Sequence, residues 1–150
     1  PEAEKTALVR HACRMFLAGA TVTVPFFSVI LRKLYGLGGV VMYGGAPKTP
    51  HATAAWPTGE FGGMGIEASV RLGYRKEMEA IQDPAERQRF YDEKVAEQYR
   101  EGTALNMASK EKIDDVLDPA ETRAWLSGLL RSVPPALPRE GKKRPMIDAW

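Results

Sequence analysis

The sequence is poor in the residues that build disulfides and metal sites. It has one cysteine, Cys13, and two histidines, His11 and His51, among 150 residues. One cysteine excludes an internal disulfide and suits a reducing compartment, so we expect a cytoplasmic location. The two histidines lie far apart with no ligand spacing, so we expect no metal site in this chain.

Long hydrophobic runs and a strong charge excess are also missing. The longest apolar run is far shorter than the roughly 20 residues of a membrane-spanning helix, so we expect no membrane segment. Lys and Arg total 21 against 19 Asp and Glu. No basic stripe with interleaved aromatic residues accompanies this near-neutral balance, so we expect no nucleic-acid partner.

The chain length is that of one domain. We predict this domain over residues 1–132 and a proline-rich, basic tail over 133–150, whose Ile147 and Trp150 are candidates for docking on a neighbour. Because the sequence begins with Pro1 rather than Met, we expect a fragment of a longer protein.

Hydrophobic periodicity predicts strands that alternate with helices, the pattern of an α/β fold. Strands are expected within the apolar run 22–31, at 51–57 and within 112–118. The tetrapeptide Asp-Pro-Ala-Glu occurs twice, from Asp83 and from Asp118, and each copy predicts a capped helix start. Further helices are expected over 2–19 and 66–82.

Two glycine-rich segments stand out, at 32–45 (RKLYGLGGVVMYGG) and 58–65 (TGEFGGMG). We predict both as loops that follow strands and precede helices, a position in which backbone N–H groups can meet a bound oxygen. No side chain marks itself as an acid, base or nucleophile. Reactions such as enolate chemistry on thioesters depend chiefly on an oxyanion held by two backbone amides. The alternative is a tight crossover that needs glycine only for close packing.

Four segments in order carry a resemblance to a known family: VPFFSVILRKLYGLGGVVM, AWPTGEFGGMG, YRKEMEAI and IDDVLDPAETR. Over about residues 3–130 the chain resembles the C-terminal domain of the carboxyltransferase (beta) subunit of biotin-dependent acyl-CoA carboxylases, the acetyl-CoA/propionyl-CoA group. The resemblance implies a crotonase-like (ClpP-like) α/β fold of stacked β-β-α units, of which this chain holds a partial C-terminal domain.

The same resemblance implies a function. A carboxyl group passes from carboxybiotin to an acyl-CoA, and this chain supplies the biotin-binding half of the site. The implied cofactor is biotin on a partner carrier, and the implied partners are the biotin carboxyl carrier and the biotin carboxylase subunit. The family forms dimer-based homo-oligomers, usually hexamers, with the active site shared between two subunits, so the fragment alone is expected to be inactive.

Site residues also follow from the resemblance. The backbone N–H groups of Leu37 and Gly38 would hold the ureido oxygen of biotin, and Leu37 departs from the usual Tyr-Gly-Gly-Ala motif. Arg32 and Lys33 are expected to hold the loop, and Glu60 to cap or orient it. Gly62 and Gly63 stand where relatives often have Ala or Val. The predicted pocket residues are Tyr35, Gly36, Gly39, Trp56, Pro57, Glu60, Gly62 and Gly63.

Two other functions remain open from the sequence. One is a biotin-linked acyl-CoA decarboxylase of the same architecture, which this fragment does not distinguish from a carboxylase. The other is a non-catalytic oligomerising module.

Overall fold

The computed structural model describes residues 2–44, 50–135, 138, 140 and 141. In chain order the elements are α1 (Glu2–Lys5), α2 (Leu8–Thr21), β1 (Phe27–Ile30), β2 (Lys33–Tyr35), α3 (Gly36–Met42), β3 (Ala52–Ala55), β4 (Glu60–Gly62), α4 (Ile66–Gly73), α5 (Arg75–Ala80), α6 (Pro84–Glu101), α7 (Ala104–Ser109), β5 (Asp115–Val116), a 3-10 turn (Pro119–Glu121) and α8 (Thr122–Ser132).

The strands form two parallel sheets, as an α/β fold requires. One sheet has the order β1-β3-β5, and the other pairs β2 with β4. In the first sheet Phe27 pairs with Ala52 and Ile30 with Ala55. Every parallel pair is joined through a crossover, so the helices lie between consecutive strands of a sheet. The predicted α/β class is confirmed.

The core lies around the central strand β3, whose four residues are all buried. Ala55 packs in a cluster with Ile30, Ala104 and Ile113, which brings together β1, β3, α7 and the segment before β5. The small alanines of β3 let helices and neighbouring strands approach closely. The core therefore fixes β1, from which the chain passes directly into the first glycine segment.

Two predicted helices are interrupted in the structure. The helix expected over 2–19 breaks before Leu8, because Ala7 adopts a left-handed conformation with φ 59°. The helix expected over 66–82 divides at Tyr74 into α4 and α5. The helical periodicity of both segments was correct, but it carries no information about a one-residue change of backbone direction.

The glycine segments differ more from the prediction, since neither is simply a loop. The first contains strand β2 and helix α3, and the second contains strand β4. A glycine in a helix interior destabilises the helix by about 1 kcal/mol relative to alanine. Three glycines within seven residues therefore predict a loop. Tertiary packing overrides that preference here.

Both predicted helix caps are present. The Asp83 carboxylate accepts hydrogen bonds from the N–H groups of Ala85 and Glu86 at 3.1 and 3.3 Å and begins α6. The Asp118 carboxylate accepts from Ala120 N–H at 2.8 Å, but it begins the 3-10 turn that leads into α8.

Most of the tail predicted over 133–150, including Ile147 and Trp150, lies outside the described residues. Within the described part of the chain, no helix has both the length and the apolar character needed to cross a membrane.

Gly102, between α6 and α7, tests the packing of β4. A Cβ atom at this position would overlap the carbonyl oxygen of Phe61. Phe61 N–H donates to the Gly102 carbonyl at 2.8 Å, so the two backbones cannot separate without losing a hydrogen bond. We expect Gly102→Ala to lower the free energy of unfolding by about 1–3 kcal/mol. The measurement is denaturant unfolding of the full-length protein.

Gly73→Ala is the matched control. A Cβ atom there meets nothing within 4 Å among the described residues, and alanine favours the helix that ends at this position. This variant should be as stable as the wild type or slightly more so. Equal loss of stability in both variants would contradict the packing argument.

Candidate functional site

The first glycine segment turns sharply from strand β2 into helix α3. Gly36 makes the turn in the left-handed region, with φ 59°, and a Cβ atom there would lie 3.1 Å from the carbonyl oxygen of Gly63. Both the dihedral angle and the close approach favour glycine at this position. The turn therefore places the start of α3 directly against the second glycine segment.

Leu37 and Gly38 lie in the first turn of α3, where backbone N–H groups have no carbonyl partner within the helix. Tyr35, which precedes the helix, makes no capping hydrogen bond with its side chain. Leu37 is 70% exposed, and Gly38 is exposed, with no described atom within 4 Å of the position that a Cβ would take. The two residues whose amides are predicted as donors are thus adjacent and exposed.

The parallel pairing of β2 with β4 joins the two segments. Tyr35 pairs with Gly62, and a Cβ atom on Gly62 would lie 3.1 Å from the Tyr35 ring. Glu60 N–H donates to the Arg32 carbonyl at 2.5 Å, which extends the ladder. Because the Tyr35 ring packs so closely against β4, glycine is favoured at position 62.

Polar side chains reinforce this pairing on its outer side. The Tyr35 hydroxyl donates to Glu60 Oε2 at 3.0 Å, and Lys33 Nζ lies 3.9 Å from the same oxygen. Burial, and then the hydrogen bond to the Glu60 carboxylate, raise the pKa of Tyr35 to about 12. Glu60 therefore contacts two side chains of β2, and its role in orienting the segment stays a prediction.

A second tyrosine–glutamate pair lies close by. The Tyr99 hydroxyl on α6 donates to Glu67 Oε1 on α4 at 2.9 Å. The carboxylate raises the pKa of Tyr99, and the pKa of Glu67 is lowered by hydrogen bonds from its backbone and from Tyr99. This pair ties α6 to the helix that follows the second glycine segment.

An apolar cavity of about 520 Å³ opens beside the turn. Four predicted residues, Gly36, Leu37, Gly62 and Gly63, line it together. Its other lining residues come from β1, β2, α3 and the residue after it, β3, β4, α7 and the segment after α7: Ile30, Leu34, Val40, Tyr43, Thr53, Phe61, Met107, Lys112 and Ile113.

The structure places the remaining predicted residues elsewhere. Gly38 and Gly39 border a second cavity of about 650 Å³ on the β1 side of α3. Trp56 donates its indole N–H to the Thr122 hydroxyl at 2.9 Å, which ties the end of β3 to α8. Neither Trp56 nor Pro57 is among the residues that line the 520 Å³ cavity.

Sequence reasoning missed Thr53 and Lys112. Neither belongs to a motif, and both reach the cavity only because β3 and the segment before β5 pack side by side. Among the described residues, no group of three or more His, Cys, Asp or Glu side chains is placed to hold a metal ion.

Comparison with known proteins identifies the family. The model of the carboxyl transferase domain matches residues 1–132. The chain belongs to this family, and the predicted resemblance is confirmed. The chain is 35% identical over 130 residues to the propionyl-CoA carboxylase carboxyltransferase subunit of Haloferax mediterranei, covering 85% of this chain and 24% of that protein. It is 34% identical over 128 residues to the methylmalonyl-CoA carboxyltransferase 12S subunit of Propionibacterium freudenreichii, with the same coverage.

Solved structures support the same family assignment. A transcarboxylase 12S structure, a hexamer with methylmalonyl-CoA and methylmalonic acid bound, matches with a TM-score of 0.83 and 30% identity, covering 98% of this chain and 28% of that one. A single-chain, multi-domain long-chain acyl-CoA carboxylase matches with a TM-score of 0.70 and 52% identity, covering 86% and 13%. The chain thus has part of the crotonase-like fold, and it spans about a quarter of the length of its curated relatives.

The Tyr35–Glu60 pair gives a pH-dependent test. We expect the phenol of Tyr35 to ionise near pH 12 rather than near 10. Because the folded-state pKa is raised, the stabilisation is present below about pH 10 and is lost as the pH rises toward 12. The measurement is the ultraviolet absorbance of tyrosinate during a pH titration, taken as the difference between wild type and Tyr35→Phe.

Glu60→Gln removes the charge but keeps a hydrogen-bond acceptor. It should lower the pKa of Tyr35 and still leave it above the ordinary value, because burial is the largest cause of the shift. If the difference spectrum shows that Tyr35 of the wild type ionises at the ordinary pKa of 10.0, the burial of Tyr35 and its hydrogen bond to Glu60 are contradicted.

Proposed function

We propose that this chain supplies the biotin-binding half of a carboxyltransferase site, in which a carboxyl group moves from carboxybiotin to an acyl-CoA. The observation that carries the proposal is the position of Leu37 and Gly38, two adjacent exposed residues at the uncapped start of α3, of which Leu37 borders the 520 Å³ cavity and Gly38 the 650 Å³ cavity. Backbone donors fixed in a water-poor site are the usual means of stabilising an oxyanion.

The residues present fit a ureido oxygen. Bound carboxybiotin would supply the carboxyl group, and the departure of the carboxyl group would leave negative charge on the ureido oxygen. The Leu37 and Gly38 N–H groups would donate to it, and the partial positive charge at the start of α3 adds to their effect. No described atom lies within 4 Å of the position that a Cβ would take at Gly38, which leaves room beside its amide. The Leu37 side chain forms part of the wall of the 520 Å³ cavity beside the turn.

The other residues of the site act as its frame. Gly36 sets the direction of α3, Gly62 admits the Tyr35 ring, and Glu60 holds β2 to β4. A displacement of either glycine segment would move the two amides away from a common acceptor. In this proposal Tyr35 and Glu60 are positioning residues and take no proton from the substrate.

Membership of the family supports a proposal about the partners. We propose that acyl-CoA is held mainly by a part of the protein outside this chain, and that biotin arrives on a carboxyl carrier loaded by a biotin carboxylase subunit. A homo-oligomer, as in the 12S hexamer, would place two subunits at one site. A cytoplasmic location is part of the same proposal. The relatives are named for propionyl-CoA, methylmalonyl-CoA and long-chain acyl-CoA, so the acyl group stays open.

Leu37→Pro tests the amide, because proline removes an N–H group that, in the first turn of α3, has no carbonyl partner within the helix. In the full-length protein, with a biotinylated carrier and propionyl-CoA, we expect kcat to fall by roughly 100-fold or more. The measurement is the formation of carboxylated acyl-CoA, with thermal unfolding recorded beside it to show that the variant is folded.

Leu37→Ala is the control, since it removes the side chain and keeps the N–H group. It should retain kcat within about tenfold of the wild type. If the proline variant is folded and as active as the alanine variant, the Leu37 amide is not a donor. If the wild type transfers no carboxyl group to any acyl-CoA, the proposed function is wrong.

A further inference from the structure

The C-terminal end of helix α6 contacts the chain on both sides of the connection 63–65, which joins β4 to α4. On the β4 side, Phe61 N–H donates to the carbonyl of Gly102, the residue that follows α6, at 2.8 Å. On the α4 side, the Tyr99 hydroxyl donates at 2.9 Å to Oε1 of Glu67, which lies in the first turn of α4. One end of α6 therefore spans the connection.

The connection 63–65 forms one wall of the turn that begins α3. The Gly63 carbonyl oxygen lies 3.1 Å from the position that a Cβ would take at Gly36. Gly63 and Gly65 are exposed, with no described atom within 4 Å of a Cβ position, and α4 begins without a side-chain cap. Because such a segment has few contacts of its own, its position depends on the elements that hold its two ends.

The two ends of α4 are held to α6 in different ways. In the last turn of α4, the Arg71 guanidinium lies 5.4 Å from the centre of the Tyr91 ring on α6. In the first turn, beside the glycine connection, the contact is the hydrogen bond from Tyr99 to Glu67. Among the described residues this is the one side-chain hydrogen bond between the two helices.

The Tyr99–Glu67 pair also lies near the Tyr35–Glu60 pair of the β2–β4 pairing. Burial and Glu60 are the main causes of the raised pKa of Tyr35, and Tyr99 and Glu67 add to it. The two tyrosine–glutamate pairs are thus neighbours, and a displacement of the first turn of α4 would also change the surroundings of β2.

We propose that Tyr99 is a positioning residue for the carboxyl transfer proposed above. Its hydrogen bond to Glu67 fixes the start of α4, and the start of α4 fixes the Gly63 carbonyl against which the chain turns into α3. This inference rests on the proposed function and adds to it a residue that lines neither the 520 Å³ nor the 650 Å³ cavity. Tyr99 acts through the direction of α3 and touches neither reactant.

The experiment compares Tyr99→Phe with Tyr91→Phe in the full-length protein, with a biotinylated carrier and propionyl-CoA. Tyr99→Phe removes the hydroxyl alone, and kcat should fall by roughly three- to tenfold. The KM for propionyl-CoA should stay within about twofold of the wild type, because no contact with substrate is lost. Tyr91→Phe is the matched control on the same helix. It keeps a ring beside Arg71 and should leave kcat unchanged.

Variants of the acceptor distinguish positioning from a general loss of stability. Glu67→Gln keeps an oxygen acceptor and should retain kcat within about twofold of the wild type, whereas Glu67→Ala should lower it. Adding Tyr99→Phe to Glu67→Ala should lower kcat no further, because both changes remove the same hydrogen bond. Ile66 and Val70 of α4 are buried, so we expect every variant to fold, and denaturant unfolding checks this.

Hydrogen exchange of residues 58–65 is measured beside kcat, because it reports on the glycine segment whether or not transfer occurs. Exchange should be faster in Tyr99→Phe than in the wild type and unchanged in Tyr91→Phe.

Four outcomes overturn the inference: a folded Tyr99→Phe with unchanged kcat, an equal fall of kcat in Tyr91→Phe, additive losses in the double variant, or unchanged exchange of residues 58–65 in Tyr99→Phe. In each of these, carboxyl transfer by the wild type still supports the proposed function. If the wild type transfers no carboxyl group to any acyl-CoA, the proposed function is wrong, and the role of Tyr99 in it is wrong as well.

Discussion

The pairing of β2 with β4 is the interaction on which the rest of the site depends. These strands have three residues each, yet they hold two segments together that are separated along the chain by α3, β3 and their connections. The Tyr35 ring lies against Gly62, and Gly36 turns beside the carbonyl of Gly63. A side chain at Gly36 or Gly62 would push the segments apart and redirect the first turn of α3.

Two carboxylates near this pairing are hydrogen-bonded to tyrosines and do not line the 520 Å³ cavity. The carboxylates of Glu60 and Glu67 are engaged by tyrosine hydroxyls, and neither is among the residues lining the 520 Å³ cavity. Among the described lining residues there is no acidic side chain, while Lys112 and the start of α3 contribute positive charge. In the proposed site, negative charge that develops beside Leu37 would therefore face no acidic side chain among these lining residues.

The sequence predicted the features that depend on local chemistry. Asp83 followed by Pro84 marks a helix start with the residue types that such a start prefers, and strand β1 follows from the apolar run 22–31. The four family segments also led to the fold, since their order and spacing are specific. The identities of Leu37 and Gly38 as donors remain a prediction.

Features that depend on tertiary contacts were not predictable. Strands as short as β2 and β4 have too few residues to show alternation, and glycines in α3 favour a loop by propensity. The left-handed Ala7 has no signal in its residue type. Thr53 looks like an ordinary strand threonine in sequence, and only the packing of β3 against the segment before β5 shows that its hydroxyl is left without a partner.

The most direct test of the central claim is a structure of the full-length protein with biotin bound. We expect the ureido oxygen at about 2.7–3.1 Å from both the Leu37 and Gly38 backbone nitrogens, with the β2–β4 pairing intact. Biotin bound with its ureido oxygen away from these two amides, in a protein that carries out the transfer, would contradict it.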